Sequence, residues 1–313
     1  MHQVDEGAGE AVTRRATDRR GEMTGSALSV AMAVLFAGVV ILGSKVQAGG
    51  PPFVTLAIRF GGQSVLLLGL AVALRRPGLP APGERLALAM AGMLGYGTEA
   101  ALYFSALNHG SAAAVTLLFY TYPVWVMLVT IALDRRAPSP PLFVALALAL
   151  AGSAIVVLGG GGEAEVEPLG IVLALATSLA YTAYLIGTDR HVRRTDPVTA
   201  AGWLGAGAAV SNVVFAIVAG SLIVPAGATP GRVVAIVLIS AGAFASMLAG
   251  LQRVGAVRNA IIGVMEPLTV AVLAAVFLDQ PVTPTVVAGG VLILVGAVIA
   301  SVVRTTRTAE PNI

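Results

Sequence analysis

Residues 283–303 read TPTVVAGGVLILVGAVIASVV and reach Arg304 without a single charged side chain. A run of about 18 or more apolar residues is long enough, as a helix, to cross a hydrocarbon core of roughly 30 Å. The backbone polar groups of a lipid-embedded segment must bond internally, which leaves helices or closed barrels. Barrel strands alternate apolar and polar residues, and this run does not. The same pattern recurs along the chain. Apolar residues fill 57% of the 313 positions and charged residues 11%, against about a quarter charged in a soluble domain; the mean hydropathy is +0.89. The reading is an all-α membrane protein with ten transmembrane helices. They cover 27–46, 53–74, 86–106, 111–133, 141–159, 169–188, 198–223, 232–251, 256–278 and 283–303, separated by Gly-, Pro- and Asn-marked breaks.

The arginines orient these spans. With a cytoplasmic N-terminus, Arg14, Arg15, Arg19, Arg20, Arg75, Arg76, Arg85, Arg135, Arg136, Arg190, Arg193, Arg194, Arg253, Arg258, Arg304 and Arg307 all fall inside; Lys45 and Arg232 lie near outer ends and Arg59 within a span. A missed or extra helix would invert every later loop and spoil this positive-inside bias. Both termini are therefore expected in the cytoplasm. Residues 1–24 are polar, lack the apolar core of a signal peptide and read as a disordered tail, with Met23 an alternative start; 304–313 form a second tail. Lys45 is the single lysine, a usage that suggests a high-GC genome and is consistent with a bacterial inner membrane.

The chain repeats itself. At an offset of 144 residues Leu107 falls on Leu251, Pro123 on Pro267, Pro140 on Pro284 and Gly152 on Gly296. Five helices per half is an odd number, so the second half (169–303) starts on the opposite side from the first (27–160). Inverted repeats of this kind are a common plan of secondary transporters.

The segment Leu102-Tyr-Phe-Ser-Ala-Leu-Asn-His-Gly-Ser-Ala-Ala-Ala-Val-Thr116, followed by Tyr122-Pro123 and the Asp134 loop, resembles the first EamA repeat of the drug/metabolite transporter superfamily. Gly250-Leu-Gln-Arg-Val-Gly-Ala-Val-Arg-Asn259, then Glu266-Pro267 and Leu278-Asp279-Gln280-Pro281, resembles the second. Arg59 in Ala57-Ile-Arg-Phe60 matches an arginine typical of the second helix. The resemblance implies ten helices in an inverted 5+5 arrangement, cytoplasmic termini and movement of small metabolites such as amino acids. Asp134 and Asp279 stand where the family usually has Glu, a departure that bears on loop packing.

Charge at membrane depth costs about 2.5–3.5 kcal/mol on insertion scales and so marks a cavity or a partner. Arg59, Glu99 and Glu266 are the three such residues. Tyr96 and Tyr103 share a helical face with Glu99, which either binds a substrate amine or coupling proton, or pairs structurally with Arg59. Glu266 precedes Pro267, where proline bends a helix and frees a carbonyl; Asn259, seven residues back, reads as lying on the same face. Arg59, with Gln63 a turn on, either clamps a substrate carboxylate or forms a structural pair. Tyr122 and Tyr184 read as cavity rings; Tyr120, Tyr181, Trp125 and Trp203 fit an interfacial belt.

Other classes are excluded or disfavoured. The chain has no cysteine, and His2, His109 and His191 fall in tail or loop positions without metal-ligand spacing. No Gly-x4-Gly-Lys-[Ser/Thr] loop is present. No cofactor, metal or nucleic acid is expected, and no buried nucleophile–base set suggests an enzyme. The expectation is a secondary transporter, working as an exporter, with a midplane cavity, a small-molecule substrate and proton coupling. An uncoupled facilitator, and below it a non-transporting scaffold, are the alternatives.

Overall fold

A computed structural model describes residues 2–46, 51–159, 166–278 and 283–303. The Gly160 to Glu165 segment, Asp279 with Gln280-Pro281, and the tail from 304 lie outside these residues. The helices are α1 His2–Val46, α2 Phe53–Ala73, α3 Arg85–Met90, a π-helical turn Ala91–Tyr96, α4 Gly97–Ala106, α5 Ala112–Phe119, α6 Tyr122–Asp134, α7 Pro140–Gly159, α8 Pro168–His191, α9 Pro197–Val218, α10 Pro230–Gly263, α11 Glu266–Leu278 and α12 Pro284–Val302. Among the described residues there is no strand, only an isolated bridge between Gly110 and Val166. Among the described residues eight helices are long and apolar enough to cross a membrane.

The helix ends follow local chemistry. Proline occupies the first turn of α6, α8, α9, α10 and α12, where its missing N–H is not needed. Ser111, Asp196 and Thr283 cap α5, α9 and α12 by accepting backbone N–H groups. At the far end of α9, Gly220 takes φ +61° and the Ser221 N–H reaches back to the Ala216 carbonyl. This closes the helix at Val218, short of the expected 223.

Four expected spans differ in build. The first helix starts at His2 and so runs through 2–24, read from composition as disordered; no proline occurs there to stop it. The third span is α-helical at both ends with a π turn between. The fourth and ninth are broken, at Tyr120–Thr121 and Val264–Met265, two to three residues before Pro123 and Pro267. Each proline removes the N–H that would have bonded four residues back. Between the eighth and ninth spans the helix is continuous apart from Gly255, at φ 78° and ψ 168°.

The 144-residue offset survives in the coordinates. It carries Phe53 onto Pro197, the 120–121 break onto 264–265, the α6 end Asp134 onto the α11 end Leu278, and the α7 start Pro140 onto the α12 start Pro284. The packing of α7 on α12 is reciprocal. A Cβ on Gly152 would stand 2.5 Å from the Gly289 carbonyl oxygen, and one on Gly296 2.7 Å from the Ala145 carbonyl oxygen. The offset that takes 152 to 296 also takes 145 to 289. Such exchange of contacts is what a two-fold relation produces, and it needs small residues so that the backbones can meet.

At the end of the bundle holding the 74–84 and 192–196 connections, Glu84 ties the halves together. Its buried carboxylate accepts the N–H groups of Arg193, Arg194 and Thr195 at 3.0, 2.7 and 2.8 Å and the Thr195 hydroxyl at 2.6 Å. Arg76 pairs with Asp196 at 2.9 Å. The Thr199 hydroxyl and Trp203 Nε1–H donate to the carbonyls of Pro77 and Gly78. Burial alone raises the Glu84 pKa, but the four donated hydrogen bonds win and hold it below 4.5.

Two outcomes follow. Gly152→Ala puts a Cβ 2.5 Å from the Gly289 carbonyl oxygen, so the two helices must move apart, and it should destabilise the protein by about 1–3 kcal/mol, whereas Gly69→Ala, with open space around it, should be neutral or stabilise by about 0.5–1 kcal/mol; thermal unfolding in detergent checks both. A carboxylate whose folded pKa is depressed contributes stability above its unfolded pKa, lost as pH falls through the folded one. The melting temperature should therefore drop on acidification below 4.5. Glu84→Gln should cost about 2–4 kcal/mol at pH 7 and flatten that acid limb.

Candidate functional site

The three intramembrane charges converge. Arg59 on α2 and Glu99 in the first turn of α4 are both 7% exposed. Glu99 lies in the electrostatic reach of Arg59 and of Glu266, which opens α11. Yet no ion pair within 4 Å joins Arg59 to either carboxylate; the pairs formed among the described residues lie elsewhere. The Arg59 Nε is buried without a hydrogen-bond partner, the Tyr96 hydroxyl lies beside the guanidinium, and its Cζ stands 4.3 Å from the Phe60 ring centroid. A buried charge left so loosely satisfied costs stability that a closed ion pair would recover.

Aromatic rings wall this centre. The Tyr96 ring meets Phe60, Phe244 and Tyr184 at centroid distances of 5.1, 4.5 and 5.6 Å, each in an edge arrangement. Tyr122 meets Tyr181 at 4.7 Å and Phe119 at 5.3 Å. The Tyr120 hydroxyl lies beside the Glu266 carboxylate. Tyr103 is half-buried, with its hydroxyl 3.0 Å from the Thr116 Oγ1 and its ring 5.7 Å from Phe119. The Tyr181 and Tyr184 hydroxyls both point to the Met247 sulfur, at 3.7 and 3.8 Å. Elements of both halves contribute: α2, the π turn, α4, α5 and α6 from the first, α8, α10 and α11 from the second.

The helix breaks supply the polar floor. With α5 ending at Phe119 and α6 starting at Tyr122, the Thr121 hydroxyl donates to the Leu118 carbonyl at 2.7 Å and lies 3.0 Å from the Ser178 hydroxyl. The Tyr122 hydroxyl donates to the Ala260 carbonyl across the repeats at 3.2 Å. Helices α6 and α11 thus restart at equivalent positions, Tyr122 and Glu266, each followed by a proline that has no N–H to leave unpaired, and at α6 the Val124 and Trp125 N–H groups bond back to the Thr121 carbonyl.

Of the residues singled out in the sequence, Arg59, Glu99, Tyr96, Glu266, Tyr122 and Tyr184 come together, with Tyr103 at the edge. Asn259 does not join through Glu266. The break at 264–265 interrupts the helical phase between them, and Asn259 instead donates to the Ser29 hydroxyl on α1 at 2.9 Å. Tyr120 and Tyr181, read as belt residues, are buried at 4% and 8% exposure among the other rings; Trp203 stays near the surface. Phe60, Phe119, Phe244 and Met247 carry no charge that would mark them in a sequence. The repeat register, which pairs Phe244 with Ala100, is the one signal that could have pointed to Phe244. A groove lined by Val54, Ala57, Ile58, Val213, Ala216 and Leu222 is wholly apolar and separate from this centre.

Comparison with known proteins bears on these features. The model of the EamA-like transporter family matches residues 23–158 and again 168–302, one copy per half. A protein named uncharacterized transporter YcbK from Bacillus subtilis (strain 168) is 28% identical over 228 residues, covering 69% of this chain and 73% of that protein. A solved crystal structure with 21% identity superimposes with a TM-score of 0.76 over 89% of this chain and 98% of its own, a likeness of fold. With eight helices fit to cross a bilayer, this is a multi-pass membrane transporter, and the chain belongs to the EamA-like transporter family.

Proposed function

We propose that the protein is a secondary transporter that exports small metabolites such as amino acids by alternating access. Its spans number ten, as two inverted five-helix repeats: the rod Arg85–Ala106 is one span despite its π turn, and α10 holds two segments hinged at Gly255, the second continuing into α11. The arginine asymmetry favours cytoplasmic termini, with the Glu84 tie at the cytoplasmic end, and the single lysine among so many arginines favours a bacterial inner membrane.

One observation carries the reading: among the described residues Arg59, Glu99 and Glu266 form no ion pair within 4 Å with one another, and they stand beside rings contributed by both repeats, the Tyr96 hydroxyl next to Arg59 and the Tyr120 hydroxyl next to Glu266. A carboxylate beside an arginine matches a zwitterion's two ends, and the rings accept its apolar body. Rocking of one repeat against the other around such a centre exposes it to each side in turn. Glu99 and Glu266 are the groups able to take a proton or a substrate amine.

Purified protein in liposomes, screened with a panel of labelled amino acids with and without a pH gradient, tests this. We expect gradient-stimulated flux for at least one compound and a fall of at least tenfold in Glu99→Gln. Flux that ignores the gradient in the native protein would favour an uncoupled facilitator. No flux for any small metabolite would sink the transporter reading of this centre.

A further inference from the structure

Packing leaves two amide oxygens over inside the bundle. Among the described residues the Gln63 Oε1 and the Asn212 Oδ1 are buried without a hydrogen-bond partner, as is the Arg59 Nε. Gln63 and Asn212 are both 0% exposed. Their orientation is fixed by their other ends. The Gln63 Nε2 donates to the Ala201 carbonyl at 3.4 Å, and the Asn212 Nδ2 donates to the Ala208 carbonyl at 2.9 Å. A backbone carbonyl only accepts, so each NH2 must be the group turned to it, and an oxygen is what each amide has left to offer. A buried acceptor without a donor costs stability. An apolar side chain would avoid that cost, and at the 144-residue offset the counterpart of Asn212 is Leu68.

Helix α9 touches both the helix of Arg59 and that of Glu99. It runs antiparallel to α2: Gly202 meets Leu68, Gly205 meets the Phe60 carbonyl and Gln63, and Ala209 meets Gly61. It runs parallel to the third span: Gly92 meets the Leu204 carbonyl, and a Cβ on Gly97 would stand 3.2 Å from the Ala208 Cα. Positions 205, 208 and 212 share one face of α9. That face is the one both neighbours press on, and Asn212 lies one turn beyond Ala208 along it. The same step along α2, taken backward from Gln63, reaches Arg59. Taken forward from Gly97, it reaches Glu99. Arg59, Glu99 and Asn212 therefore share one level on three helices around one groove, with Gln63 a turn away toward the Glu84 end.

We propose that Asn212 is a specificity-determining residue of this centre: its Oδ1 accepts an N–H of the substrate's ammonium group beside the Glu99 carboxylate, so that the site selects zwitterions bearing a primary ammonium. The proposal rests on the reading of the centre as a site for amino acids and names the group that reads the nitrogen. A primary ammonium has three N–H donors. Glu99 supplies the opposite charge. Asn212 takes a second N–H without adding charge, and Gln63 offers a further acceptor one turn away. The Arg59 Nε–H is the complementary donor for the carboxylate end. A site of this kind rejects a ligand that keeps the positive charge but has no N–H to give, because its buried oxygens then stay unbonded.

Thermal shift of the purified protein in detergent tests this. Each standard amino acid is titrated, and those that stabilise are compared with the N,N,N-trimethyl analogue of the same side chain. The native protein should bind the analogue at least about tenfold more weakly. Asn212→Leu keeps the bulk and removes the acceptor. It should weaken the amino acid at least about tenfold while leaving the analogue unchanged. Its ligand-free melting temperature should hold or rise, since an unbonded buried acceptor is gone. Should Asn212→Leu not fold, Asn212→Ala is held to the same loss of amino-acid affinity. Equal binding of amino acid and analogue by the native protein, or a variant that keeps the native affinity for the amino acid, overturns the role of Asn212 and leaves the transporter reading standing. Stabilisation by none of the amino acids takes down both.

Discussion

Backbone polar groups inside a bilayer have no water to turn to, and this constraint shapes the protein. A helix that breaks at membrane depth must place its freed groups against other protein or a polar interior. The chain breaks its rods at Tyr120–Thr121 and Val264–Met265 and widens one at Ala91–Tyr96. All three irregularities border the region where Arg59, Glu99 and Glu266 meet. Charges and breaks need the same thing, a place sheltered from lipid, so they share one. The tyrosine hydroxyls around them supply donors and acceptors while the rings exclude lipid.

The duplication explains how such a centre can be built. Two similar units meeting through reciprocal Gly152–Gly289 and Gly296–Ala145 contacts form an interface of backbone on backbone. Such an interface is stiff within the α7–α12 layer. The candidate site groups, by contrast, are asymmetric: Glu99 corresponds to Ala243, Tyr96 to Ser240 and Glu266 to Tyr122. Symmetry supplies the scaffold and the paired helix breaks, and substitutions within it supply the chemistry. The Glu84 carboxylate, bound to backbone N–H groups of the other half, adds a tie at one end.

Much of this was legible beforehand because it depends on local pattern. The apolar runs, the proline bends at Pro123 and Pro267, the repeat offset and the Tyr96–Glu99 face all follow from spacing alone. What escaped depends on tertiary partners. Nothing in Ala91-Gly-Met-Leu-Gly-Tyr96 tells a π turn from an α turn. Glu84 carries no mark in the sequence because its partners are mostly main-chain groups of the other half. Asn259 was put on the Glu266 face by counting residues across a break that resets the helical phase. Phe244 and Met247 look like any buried apolar side chains until the tyrosines around them are seen.

The central claim is that both repeats close around one interior site that opens to each side in turn. A single cysteine at position 103, at the edge of that site, in vesicles of known orientation tests it most directly. Reaction with a membrane-impermeant thiol reagent should occur from either side, and closing one side by cross-linking should leave labelling from the other intact. Labelling from neither side, or unhindered passage of reagent through the protein, would contradict the account.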